Sequence, residues 1–85
     1  MESRVLDGNA IGGLLLELFG TELTAAPCVC GNCGAREEMA RLDVYIDCPG
    51  VVVRCRHCTD VMIAIVRGPE RTWVDLRGTR GLELG

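Results

Sequence analysis

Four of the six cysteines stand in two pairs, Cys30-x-x-Cys33 and Cys55-x-x-Cys58, with twenty-one residues between them. A two-residue gap lets both thiolates of a pair reach one metal ion from a tight turn, whose backbone N–H groups can point at the sulfurs. Gly34, directly after the first pair, can supply the left-handed backbone that such a turn favours. Two pairs complete a tetrahedral sulfur shell with metal–sulfur distances of about 2.3 Å. Four sulfurs with no position left for water describe a closed, structural ion, and its binding energy is then folding energy. The chemistry expected of Cys30, Cys33, Cys55 and Cys58 is therefore ligation of a structural Zn2+. Sulfur geometry alone suits Fe as well.

The remaining candidates are read against that site. Cys28 lies two residues before Cys30, and on an extended approach its side chain is expected to point away from the metal. Cys48 falls in the turn Cys48-Pro49-Gly50. Both are read as spare thiols, in preference to a swap-in or redox-labile role for Cys28. Serine at either position should be nearly silent, whereas Cys33→Ser should open the shell and unfold the chain. His57 suits zinc chemically, but Cys55 and Cys58 already have the required separation, so His57 is expected to be an exposed residue of the turn. Arg54 and Arg56 place positive charge beside a doubly anionic centre. No nucleophile with a paired base and no glycine-rich phosphate loop appears, and the single His has no acid beside it in the sequence, so no catalysis is expected.

The elements that must hold these residues follow from periodicity. Residues 9–19 read as a helix, with Ile11, Leu14, Leu15 and Leu18 on one apolar face, Asp7 or Asn9 as cap and Gly20 as stop. Leu16 lies off that stripe, so the helix either covers the sheet or, with its surplus apolar surface, docks a partner or a second copy. Leu42, Val44 and Ile46 alternate with Arg41, Asp43, Tyr45 and Asp47, a strand with one buried face. Val51–Val53, Val61–Val66 and the face Thr72, Val74, Leu76 supply further strands, with turns at Pro49-Gly50 and Gly68-Pro69-Glu70. A hairpin over 39–55 carries the chain from the first cysteine pair to the second, which is the geometry of a zinc ribbon. The expectation is a small α+β single domain, 1–85: an N-terminal helix at 9–19 and a zinc-ribbon β-sheet of three to four antiparallel strands at 28–77.

Composition agrees with a chain that needs a staple. Eighty-five residues lie at the small end of what a hydrophobic core can hold together unaided. All nine basic residues are Arg, and the net charge of −3 argues against non-specific nucleic-acid binding. Residues 1–50 carry three Arg against eight acids and residues 51–85 six against four, so the second half keeps a mildly basic character. Glu2, Asp7, Glu17 and Gly12-Gly13 spoil the resemblance of residues 14–26 to a secretory signal, and no membrane span is expected. A cytoplasmic location is expected, where thiols stay reduced and paired cysteines usually mean metal.

Leu6-Asp7-Gly8-Asn9-Ala10, Leu23-Thr24-Ala25-Ala26, Cys30-x-x-Cys33-Gly34, Val53-Arg54-Cys55-x-x-Cys58 and Trp73-x-Asp75-Leu76-Arg77-Gly78 together resemble an uncharacterised family of small bacterial zinc-ribbon-like proteins. That resemblance implies the ligand role for Cys30, Cys33, Cys55 and Cys58 and no assigned activity. The cysteine pairs are also similar to those of rubredoxins, whose FeS4 centre carries single electrons. Cys58-Thr59 departs from the proline and glycine of their second pair, and aromatic residues are few. The function expected is a zinc-stabilised binding or adaptor module for protein–protein interaction. An FeS4 electron carrier is the alternative, and nucleic-acid contact through Arg54, Arg56, Arg67, Arg71, Arg77 and Arg80 a weaker one. The partner is an unknown protein, or a second copy held through the apolar N-terminal helix.

Overall fold

The computed structural model describes residues 5–47 and 50–84. In chain order these form β1 (Val5–Asp7), a 3-10 turn (Gly8–Ile11), α1 (Gly12–Phe19), β2 (Pro27–Cys30), β3 (Arg36–Glu38) and a second 3-10 turn (Met39–Arg41). Then come β4 (Asp43–Asp47), β5 (Gly50–Arg54), β6 (Val61–Arg67), β7 (Thr72–Asp75) and β8 (Thr79–Leu82). The fold is small α+β, with one N-terminal helix and two antiparallel sheets: β1-β4-β5-β6-β7 and β3-β2-β8. This corrects the expected single sheet of three to four strands.

The four strands read from the sequence, β4 to β7, form a meander, with Val44 opposite Val53, Val53 opposite Ile63, and Val51 opposite Ile65. All five of these side chains are buried. β-branched residues favour such a pleated, covered surface, and each one buried contributes about 1.5–3 kcal/mol. β1, β2, β3 and β8 escape a periodicity test because each is only three or four residues long. β1 and β8 pair with partners distant in sequence, β4 and β2, while β2 and β3 form a hairpin around the first cysteine pair. Cys48 and Pro49, expected in the β4–β5 turn, lie outside the described residues.

The helix begins three residues later than the periodicity suggests, because Gly8–Ile11 winds as a 3-10 turn. Asp7 caps that turn, its Oδ1 accepting the Asn9 N–H at 3.1 Å. Gly20 ends α1 at φ 72°, with its N–H donating to Leu16 O. Ile11 and Leu15 are buried in one core with Leu23, Cys28, Met39, Leu42 and the inner face of the large sheet, and Leu14 and Leu18 pack against it. Leu16 stays 50% and Phe19 39% exposed. Glu17 reaches Arg67 at the end of β6 at 3.2 Å, a solvent-exposed pair worth at most about 1 kcal/mol.

Candidate metal centre

Each cysteine pair sits at the tip of a hairpin, and the two hairpins belong to different sheets. Cys30 is the last residue of β2, and the chain returns as β3 of the small sheet. Cys55 follows β5, and the chain returns as β6 of the large sheet. The sequence suggests that one hairpin, 39–55, links the pairs. In the structure β4 and β5 do pair, but each cysteine turn has a hairpin of its own.

The two turns repeat one hydrogen-bond pattern. Gly34 N–H donates to Cys30 O and Cys30 N–H to Ala35 O; in the second turn Thr59 N–H donates to Cys55 O and Cys55 N–H to Asp60 O. Asn32 N–H points at Cys30 Sγ and His57 N–H at Cys55 Sγ, both at 3.4 Å. Such donors can offset negative charge on the sulfurs. The pattern requires left-handed backbone at the fifth position of each turn. Gly34 provides it at φ 78°, and Thr59, a β-branched residue, is held in it at φ 66°.

The four Sγ atoms of Cys30, Cys33, Cys55 and Cys58 lie within 4.8 Å of one another. The close approaches run between turns: Cys30 to Cys58 at 3.6 Å and Cys33 to Cys55 at 3.7 Å. A tetrahedral shell at about 2.3 Å from its ion puts neighbouring sulfurs about 3.8 Å apart, so the thiols stand at the spacing a metal shell needs. These four residues could hold a metal ion, and a shell of four sulfurs accepts zinc or iron. Cys30 and Cys55 are buried, Cys58 is half-buried and Cys33 is exposed, so the centre opens on one side. Cys58 is pulled down to about 6, first by the Asn32 side chain and then by the Asp60 backbone N–H. At Cys33 the Ala35 N–H acts to lower the pKa, but desolvation and contacts with Cys55, Cys58 and Cys30 outweigh it and push the thiol up to about 11.

A third segment wedges between the turns. Gly78, between β7 and β8, accepts the Gly31 N–H of the first turn at 2.9 Å. On its other side a Cβ at Gly78 would lie 1.8 Å from Val61 O, at the start of the strand leaving the second turn. Thr79 Oγ1 donates to Met62 O at 2.9 Å, fixing the same crossing. Asp75 shapes the approach, accepting from Arg77 N at 2.9 Å and from the Arg77 guanidinium, which in turn holds the carboxyl below its ordinary range. Sequence reasoning gives Gly78 no role; the short Asp-Leu-Arg-Gly run after a strand was its available signal.

The other candidates fall as follows. Cys28 is fully buried, with Sγ 3.6 Å from Ala26 O, and burial pushes its thiol up to about 11. It does not join the four-sulfur cluster. It shares the buried side of β2 with Cys30, since residues two apart on a strand face the same side, and there it serves as a core residue. His57 is exposed as expected, and its Nε2 lies 2.9 Å from Glu37 Oε2. That carboxylate comes from β3, twenty positions earlier in the chain, so the His does have an acid beside it that the sequence could not reveal. Of the six arginines offered for nucleic acid, Arg67 and Arg77 pair with Glu17 and Asp75. Arg54 stacks over Tyr45 at 5.7 Å and donates to Thr59 O. Among the described residues no helix is long and apolar enough to cross a membrane.

No curated protein and no solved structure matches this chain. Residues 1–85 match the family of unknown function DUF6510, and the chain belongs to that family.

Proposed function

We propose that this member of DUF6510 is a zinc-ribbon-like interaction module: a structural Zn2+ held by Cys30, Cys33, Cys55 and Cys58 keeps it folded, and it binds another protein without catalysis of its own. One observation carries the metal half of this reading: four sulfurs at shell spacing, supplied two by two from hairpins of different sheets. A four-sulfur shell leaves no coordination position for substrate, so the ion serves structure. The binding half rests on α1, where Leu16 and Phe19 remain exposed beside a helix face already engaged in the core. Persistence of such thiols fits a reducing, cytoplasmic setting.

The test measures metal on protein expressed without metal bias and recovers partners from the native host in parallel. A colourless sample with zinc bound, and a partner lost on Leu16→Glu without loss of zinc, agree with the proposal. A red, iron-loaded sample replaces it with single-electron transfer. Salt-dependent binding to nucleic acid would replace the protein partner, although Arg67 and Arg77 already have acidic partners.

A further inference from the structure

The large sheet ends in β7, and that edge has a composition that edges usually avoid. Trp73 at its centre is 68% exposed and Val66 beside it on β6 is 45% exposed. On the same face the neighbouring row Tyr45, Val52 and Ala64 stands in register across β4, β5 and β6 and meets β7 at Asp75. Sheets with one solvated face ordinarily place polar residues there, and natural edges are blunted by charge, proline or bulges. The β3 edge is of that blunted kind, since Arg36, Glu37 and Glu38 all engage in ion pairs.

The hydrogen-bond phase of β7 is fixed by its turn. Gly68 N–H donates to Arg71 O, so Arg67 and Thr72 form a non-hydrogen-bonded pair and Val66 and Trp73 the next bonded one. The N–H and C=O groups of Thr72 and Val74 therefore face away from β6, toward the open edge. Two copies of this strand laid antiparallel about Trp73 would bond Thr72 of each to Val74 of the other. Trp73 would then face its own copy as a non-hydrogen-bonded pair, the closer of the two spacings and the better one for ring contact. On the same face, Arg71 of each copy falls opposite Asp75 of the other. Asp75 is an anion held by Arg77, and Arg71 has no acidic partner among the described residues. Strand phase, ring placement and charge are thus self-complementary in one register.

We propose that β7 is the contact by which two copies of this chain form a twofold dimer, joining their large sheets edge to edge through Thr72–Val74 backbone pairs, a Trp73–Trp73 contact and reciprocal Arg71–Asp75 ion pairs. None of Arg71, Thr72, Trp73, Val74 and Asp75 is a candidate metal ligand or a residue of α1, so the proposal does not rest on the function proposed above. A four-residue junction buries less than the about 800 Å² per partner of a standard stable interface, so the dimer is weak, with Kd of about 10 µM to 1 mM.

Sedimentation velocity over a concentration series of the metal-loaded chain tests this, with fluorescence of the single Trp recorded on the same samples. The expected result is a monomer–dimer equilibrium whose dimer fraction tracks a blue shift of the Trp73 emission. Thr72→Pro removes a donor that faces only the open edge and should abolish both signals while leaving metal content unchanged. Arg71→Asp should weaken association at least about tenfold by setting like charges opposite each other twice, and mixing it with Asp75→Arg should restore association that neither variant shows alone. A chain that stays monomeric throughout the series overturns the proposal, as does a dimer that survives both Thr72→Pro and Arg71→Asp.

Discussion

Gly78→Ala is the sharpest single probe of how the two cysteine turns are held together. An ideal Cβ at this residue meets Val61 O at 1.8 Å and Met62 Cα at 2.8 Å, both backbone atoms, where contacts under 3.0 Å are essentially never seen. The two chain segments would have to part by more than about 1 Å to admit one methyl group. Retreat is blocked on the opposite side, because Gly78 O already accepts Gly31 N–H at 2.9 Å and stands 3.1 Å from where a Gly31 Cβ would sit. The shift therefore costs the Gly31–Gly78 and Thr79–Met62 hydrogen bonds, each worth about 1 kcal/mol, together with the steric strain that forces it. The sum is at least about 3 kcal/mol, a large share of the 5–15 kcal/mol by which domains are stable. In a chain of this length that lowers Tm by at least about 12 °C. Gly81→Ala is the control, since nothing lies within 4 Å of its Cβ position. Thermal unfolding of both variants, metal-loaded, is the assay. If Gly78→Ala melts within about 2 °C of Gly81→Ala, the wedge between the turns has no energetic reality.

Thr59→Gly should stabilise the chain by about 0.5–1 kcal/mol, since left-handed strain of about 1–2 kcal/mol is relieved and part of it returns as unfolded-chain entropy; denaturant midpoints at unchanged slope report it. Cys33→Ser should abolish tight metal binding and native circular dichroism together. Cys28→Ser, now seen to place a hydroxyl in the core with only Ala26 O for a partner, should cost about 1–2 kcal/mol and leave metal stoichiometry intact, more than the near-silence expected from sequence. The Cys28 thiol also predicts an alkaline limb. Its pKa is raised by burial from 9.0 to about 11, so the unfolded chain loses this proton first. The stabilising preference is complete below pH 9.0 and is lost as pH rises toward about 11, and Cys28→Ala should flatten that limb of the stability–pH curve.

What could be read from the sequence was whatever is encoded locally. The spacing within Cys30-x-x-Cys33 and Cys55-x-x-Cys58 is a property of one turn each, and the structure places all four sulfurs together. Asp7 as a cap, Gly20 as a stop and the alternation that buries Leu42 and Val44 are likewise local signals, although Ile46, expected on the same buried face, is exposed. Non-local features stayed hidden. β2 was obscured because Cys28-Val29-Cys30 reads as part of a metal turn rather than as the strand leading into it. β8 acquires its identity only by pairing with β2, fifty positions away. Glu37 meets His57 across two sheets, and Thr59 carries a backbone conformation that its side chain argues against. Cys28 stays outside the four-sulfur cluster, and what the sequence hid is its full burial in the core.

The claim on which the rest depends is that one ion bridges a hairpin of each sheet. Amide hydrogen exchange, measured on the metal-loaded chain and again after chelation, tests it most directly, because it reads β2–β3 and β5–β6 separately. Loss of protection in both hairpins together, restored by one equivalent of Zn2+, is the predicted result. Protection that persists in both sheets after the metal has been stripped would contradict it.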